Sequence, residues 1–208
     1  MSLLKEKCFL IDGPSGDLEV KVNQPAELSA AVGCAVIAHP HPQHGGTFDN
    51  KVVQTLARSA LLSGYLTLRF NFRGVGQSIG DYDGGVGEIK DMLCAVDYAR
   101  SIQPEGRLAL AGFSFGAFIA AESSKQIGSV DKLTLVAPAV GRFKVGAVSS
   151  DALVLHGAND DLVTLAEVLQ WAEDFKLPIT VFPNTGHFFH GMLAPLQNVV
   201  RSYLQVPV

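Results

Sequence analysis

The side chains in this sequence that could do chemistry converge on one serine. Leu108-Ala109-Leu110-Ala111-Gly112-Phe113-Ser114-Phe115-Gly116-Ala117 is an apolar run that stops at a serine between two glycines, with a helix-like run, Ala117 to Lys125, directly behind it. The pattern predicts a strand, a tight turn and a helix, with glycines where the turn leaves no room for side chains. Ser114 Oγ then projects from the C-terminal edge of a sheet, and the Phe115 N–H stands at a helix N-terminus, free to donate. One turn would supply a nucleophile and half of an oxyanion hole. A serine hydroxyl needs a base within hydrogen-bond reach, and the base needs an acid to fix its tautomer and stabilise the imidazolium. Asp160 follows the run ending at His156, and His187 follows the run ending at Phe182. The order Ser114, Asp160, His187 is the one expected for a nucleophile on such a turn. Asp161 is an alternative acid, either acid could cap the next helix, and His187 could be a capping or packing histidine.

The elements that must position these residues are legible in outline. Cys8 to Ile11 and Leu18 to Val22, around Gly13-Pro14-Ser15-Gly16, read as an antiparallel hairpin at a sheet edge. Gly33 to Ala38 is a continuous apolar run, a strand buried on both faces. Asp49 or Asn50 caps a helix carrying Val52, Val53, Leu56, Ala57, Ala60 and Leu61, stopped by Gly64. Tyr65 to Phe70 is a strand. A helix follows from Val86 to Ser101, with Ile89, Leu93, Val96 and Ala99 on its inner stripe. Further strands are expected at Arg107 to Ala111, Lys132 to Ala137, Ala152 to His156 and Ile179 to Phe182, with helices at Leu165 to Phe175 and from after His187 to Leu204. Strand and helix alternate from Gly33 onward, which implies right-handed βαβ units and a largely parallel sheet covered on both faces. Ligands of such sheets bind beyond the carboxyl ends of the strands. Every histidine except His190 falls at or just after such an end; His190 is read as helix surface, and His156 as packing under the acid loop.

Composition narrows the classes. With 48% hydrophobic and 17% charged residues the 208-residue chain is expected to form one domain over residues 1–208, with one substantial core. A net charge of −4 and the lack of any basic tract argue against nucleic acid and anionic membrane as partners. Met1 to Lys7 shows no apolar leader core, and no stretch approaches a membrane span. Cys8, Cys34 and Cys94 are odd in number and widely spaced, which argues against a disulfide or zinc framework and for a reducing cytoplasm.

Four segments together resemble the α/β-hydrolase superfamily, and in particular its small lidless members similar to dienelactone hydrolases. They are Gly112-Phe113-Ser114-Phe115-Gly116, His156-Gly157-Ala158-Asn159-Asp160 with Val163, Gly186-His187-Phe188-Phe189, and Arg73-Gly74-Val75-Gly76-Gln77-Ser78. The resemblance implies an α/β-hydrolase fold, mostly parallel, with an antiparallel N-terminal edge hairpin, helices on both faces and no lid. It implies Ser114 as nucleophile, Asp160 as orienting acid and His187 as base. Dienelactone hydrolases carry cysteine where Ser114 stands, so ordinary ester chemistry is favoured here. In the family the strand-end His-Gly-x segment donates a backbone N–H from x; here His39-Pro40 replaces His-Gly, so His41 matches x, and Pro40 and Pro42 have no N–H to offer. Two donors aimed at the oxyanion contribute about 2.7–4 kcal/mol each. The loop between Pro138 and Ala152 is too short for the lid that other members insert there, which implies an open site.

The expectation is a serine hydrolase cleaving a carboxylic ester or thioester of small-molecule size through an acyl-enzyme, with no cofactor and no metal. The alternatives are a peptidase or amidase with the same triad, and a binding module that keeps the motifs without turnover. Three other motifs have competing site readings. His39, His41 and His44 are close in sequence, but no carboxylate or thiolate accompanies them and the prolines restrict convergence on a metal. Gly74-Val75-Gly76 lacks the third glycine in register for a dinucleotide loop, and reads as a tight turn buttressing the site. Asp81 and Asp83 read as a solvated turn.

Overall fold

The computed structural model describes residues 6–205, so most of the leader reading at Met1 to Lys7 lies outside the described residues. The chain opens with strands β1 (Glu6–Gly13) and β2 (Gly16–Asn23), then β3 (Gly33–Ala38), helix α1 (Lys51–Leu62), β4 (Tyr65–Phe70), α2 (Val86–Ile102), β5 (Arg107–Phe113), α3 (Phe115–Ser124), β6 (Lys132–Val136), β7 (Leu153–Gly157), α4 (Leu165–Phe175), β8 (Ile179–Phe182) and α5 (Leu193–Gln205). They form one eight-stranded sheet in the order β1-β2-β4-β3-β5-β6-β7-β8. β1 pairs antiparallel with β2, and β2 antiparallel with β4; all other pairings are parallel. The hairpin is therefore the antiparallel edge expected from its turn residues.

Every residue of β3 and β4 is buried. Successive side chains point to opposite faces, and each face has its own apolar layer. Val36 and Leu110 join Met92 of α2, Ile119 of α3 and Trp171 of α4 on one side. Ile37 and Ala109 join Leu56 of α1 and Leu196 and Val200 of α5 on the other. Asn50, not Asp49, caps α1, its Oδ1 accepting from the Val52 N–H at 2.9 Å. Asp49 instead pairs with Lys21 at 2.7 Å.

The inner stripe of α2 keeps Val96 and Ala99 from the expected one and differs in its first half. Glu88, Asp91, Met92, Ala95, Val96 and Ala99 are buried, while Ile89 and Leu93 are only partly so. The helix is turned by two buried acids. Asp91 takes the Arg73 guanidinium on both oxygens, at 2.7 Å from Nη2 and 3.0 Å from Nε, and also accepts the Arg73 N–H. Glu88 accepts from the N–H groups of Asp83 and Gly85. A charge pair removed from water must be fully hydrogen-bonded, so these acids outrank the apolar stripe. β5 also runs two residues past its expected end, carrying Gly112 and Phe113 up to the turn. Residues 137–152, between β6 and β7, carry neither helix nor strand, so no lid of regular elements is inserted there.

Candidate active site

Ser114 occupies the single residue between β5 and α3, with φ 57° and ψ −116°. A side-chain-bearing residue pays roughly 1–3 kcal/mol to hold such a backbone. The crowding that enforces it is visible at the two glycines. A Cβ on Gly112 would lie 2.0 Å from the Gly116 carbonyl oxygen, and one on Gly116 would lie 2.4 Å from that of Ala38 and 2.5 Å from that of His39. Only glycine lets the strand, the helix and the end of β3 meet this closely.

His187 follows β8 and is buried, its ring 5.0 Å from that of Phe113 and 5.2 Å from that of Phe188. The Ser114 hydroxyl donates to His187 Nε2 at 3.0 Å, and His187 Nδ1–H donates to Asp160 Oδ2 at 2.7 Å. The other Asp160 oxygen, Oδ1, accepts from the N–H groups of Leu162 and Val163, both at 2.9 Å. Burial pushes the Asp160 carboxyl up, but the His187 hydrogen bond and the two amides outweigh it, so its pKa lies below the ordinary carboxylate value. Asp161 points to solvent, so of the two acids only Asp160 joins the relay.

His156 is fully buried under the acid turn, as its strand-end position suggested. Its Nε2–H donates to the Val163 carbonyl at 3.0 Å and lies 3.7 Å from Asp160 Oδ2. Burial lowers its pKa, so it stays neutral and braces the turn that presents Asp160. His190 lies in an exposed turn before α5 rather than on the helix itself, stacked on Phe188.

The amides of Phe115 and His41 have no acceptor among the described residues. Phe115 N–H opens α3, where the helix dipole adds positive potential. His41 lies between two prolines, its carbonyl held by the N–H groups of His44 and Gly46, and its Nδ1 accepting from Gln43 N–H at 3.2 Å. Its ring packs 4.9 Å from that of Tyr82 and 5.1 Å from that of Phe115. Burial, then the neighbouring His44 and Arg142, lower its pKa. Ser114, His187, His41, Phe115, Phe143 and Phe188 all line one cavity of about 360 Å³. Phe143 and Tyr82 had no assigned part in the sequence reading, and the ring of His39 figured there only as a candidate metal ligand. The only signal for Tyr82 was an aromatic inside a glycine- and aspartate-rich loop.

Of the three histidines weighed as metal ligands, His41 and His44 lie ring to ring, their centroids 4.6 Å apart. His39 turns inward and uses both ring nitrogens on the backbone, at Pro40 and Phe72. Among the described residues no group of three histidine, cysteine or acidic side chains gathers as a metal ligand set. Gly74-Val75-Gly76 is a tight turn: a Cβ on Gly76 would strike Glu19 and Asn71, two side chains that hydrogen-bond each other at 2.8 Å. No helix among the described residues is long and apolar enough to cross a membrane.

Comparison with known proteins agrees with the fold. Residues 29–152, more than half of the chain, match the family described as serine aminopeptidase, S33. An α/β serine hydrolase homologue from Coxiella burnetii is 37% identical, with a TM-score of 0.88, over 97% of this chain and 99% of that one. A lidless α/β serine hydrolase from Xanthomonas campestris is 33% identical, with a TM-score of 0.90, over 98% and 96%. Est1E from Butyrivibrio proteoclasticus, solved with ferulic acid, is only 16% identical but shares the fold with a TM-score of 0.81 over 94% and 97%. The family match includes Ser114 and ends before Asp160 and His187. By its matched family model, its relatives and its fold, the chain belongs to the α/β-hydrolase superfamily, within the serine aminopeptidase S33 family.

Proposed function

We propose that this hydrolase cleaves a carboxylic ester or thioester through an acyl-enzyme formed on Ser114. The unbroken relay from Asp160 through His187 to the Ser114 hydroxyl carries this reading. Ser114 Oγ attacks the substrate carbonyl carbon as its proton passes to His187 Nε2. The carbonyl π electrons move onto oxygen, where the N–H groups of Phe115 and His41 receive the developing charge; each such donor contributes about 10²–10³ in kcat. The Asp160 carboxylate stabilises the imidazolium. The intermediate collapses, the bond to the leaving alcohol or thiol breaks, and His187 returns the proton to that leaving group. Water then repeats the sequence: His187 takes its proton, hydroxide oxygen attacks the acyl carbon, and Ser114 leaves with the proton restored.

The cavity is near the small end of ligand pockets, which run from about 300 to 1,000 Å³; Ala139, Arg142 and Phe143 of the segment between β6 and β7 help to line it, but that segment carries no inserted helix or strand. Short acyl chains, or longer groups reaching into solvent, fit that shape. The family's description favours a second reading, a peptidase using the same triad with an amine as leaving group. A series of p-nitrophenyl esters of rising chain length, run beside aminoacyl p-nitroanilides, separates the two. The ester reading predicts higher kcat/KM on the short esters, and a preference for the anilides overturns it. Ser114→Ala should lose about 10⁴–10⁶ in kcat while staying folded; retention of more than about a tenth of the rate would remove Ser114 from the mechanism.

A further inference from the structure

His39 is completely buried and none of the steps above uses its ring. Its two nitrogens have opposite roles. Phe72 N–H, just beyond the end of β4, points at Nε2 at 3.0 Å, so Nε2 is the acceptor and carries no proton. The proton is therefore on Nδ1, which donates to the Pro40 carbonyl at 2.6 Å. That carbonyl belongs to the same planar peptide as the His41 N–H. No peptide among the described residues is cis, and in a trans peptide the C=O and N–H point in opposite directions. Fixing one fixes the other.

We infer that His39 is a positioning residue: through Nδ1–H on the Pro40 carbonyl it sets the plane of the Pro40–His41 peptide and so aims the His41 N–H at the substrate oxygen. The inference rests on the proposed serine hydrolysis. The bond also polarises the peptide, which makes the His41 N–H a better donor. The next peptide, His41–Pro42, is held as well, since its carbonyl on His41 accepts from the N–H groups of His44 and Gly46. Space beside the Pro40 carbonyl is closed, because a Cβ on Gly46 would lie 2.0 Å from its oxygen. Burial pushes the His39 pKa down to about 3, which keeps the ring neutral and its two roles distinct. Prolines at 40 and 42 remove competing donors and leave His41 as the one amide that this histidine can direct.

Two substitutions separate the two bonds. His39→Asn keeps a donor near the place of Nδ1 and gives up the acceptor. His39→Gln keeps an acceptor near the place of Nε2 and gives up the donor. On p-nitrophenyl acetate, His39→Gln should lose about 10- to 100-fold in kcat with KM changed less than about threefold, and His39→Asn should keep kcat within about threefold. Equal losses, or the milder loss in His39→Gln, overturn the inference, because a histidine that merely tethers β3 to β4 needs the acceptor. Should either variant fail to fold, ¹⁵N spectra of the wild-type ring decide. A protonated Nδ1 with a scalar coupling to the Pro40 carbonyl is expected; a protonated Nε2 overturns the inference. The underlying reading fails separately, by turnover that persists in Ser114→Ala, or by a wild type that neither cleaves esters nor reacts with serine-directed phosphonates.

Discussion

Asp160 and Asp161 are adjacent carboxylates with opposite surroundings. Asp160 is buried, bonded to His187 on one oxygen and to two amides on the other. Asp161 is exposed. Asp160→Asn would present an amide that pushes His187 into the wrong tautomer, and should cost on the order of 10³–10⁴ in kcat. Asp161→Asn should change kcat/KM by less than about threefold, as surface substitutions do. Steady-state kinetics on one ester checks both, and the opposite ranking would move the acid by one residue. The sequence alone left this choice open, because both residues fall in the same loop and both could cap α4. The deciding fact is which side chain the turn at Gly157 to Val163 folds inward, and the turn is set by His156 beneath it. The role of His39 was illegible for a similar reason. A histidine after a strand reads equally as ligand, packing or base until the partners of both its nitrogens are known.

The strand–turn–helix unit around Ser114 was the most legible element, because its two glycines are dictated by local crowding. Gly116→Ala tests that crowding. A methyl there meets the carbonyls of Ala38 and His39, so α3 must move away from the end of β3. That displacement separates the Phe115 amide from the loop that bears His41. Overpacking of this kind costs about 1–3 kcal/mol, and a misplacement of about 1 Å in the site can cost 10²-fold. Thermal unfolding and ester kinetics together should show both losses; a variant with wild-type Tm and wild-type kcat would contradict the packing argument. Helix α2 was the least legible element. Its apolar spacing pointed to Ile89, Leu93, Val96 and Ala99; the last two are buried, but in the first half of the helix Asp91, paired with Arg73, and Glu88 take the inner face. No local periodicity encodes a partner 18 residues away.

For the molecule as a whole, pH links the site to stability. The folded-state pKa of His39 is pushed from 6.5 to about 3, and that of His156 is also lowered. Between those values the unfolded chain binds protons that the folded chain refuses, so stability must fall as pH falls through that window. Asp160 acts in the same sense at lower pH, its carboxylate resisting protonation only when folded. Each uncompensated proton contributes about 1.4 kcal/mol per pH unit. Urea midpoints should therefore drop steadily from pH 7 to pH 4, and His39→Asn should flatten part of that slope. An unchanged slope in His39→Asn would mean that the imidazole is not held neutral.

The proposed hydrolysis requires an activated serine at the strand–helix turn, and covalent labelling reads that directly. The folded chain is treated with a fluorophosphonate, its intact mass is recorded and the adduct is mapped by peptide sequencing. One phosphonyl group per chain is predicted, on Ser114, absent from Ser114→Ala and formed much more slowly in Asp160→Asn. No adduct, an adduct on another residue, or labelling that persists in Ser114→Ala would contradict it.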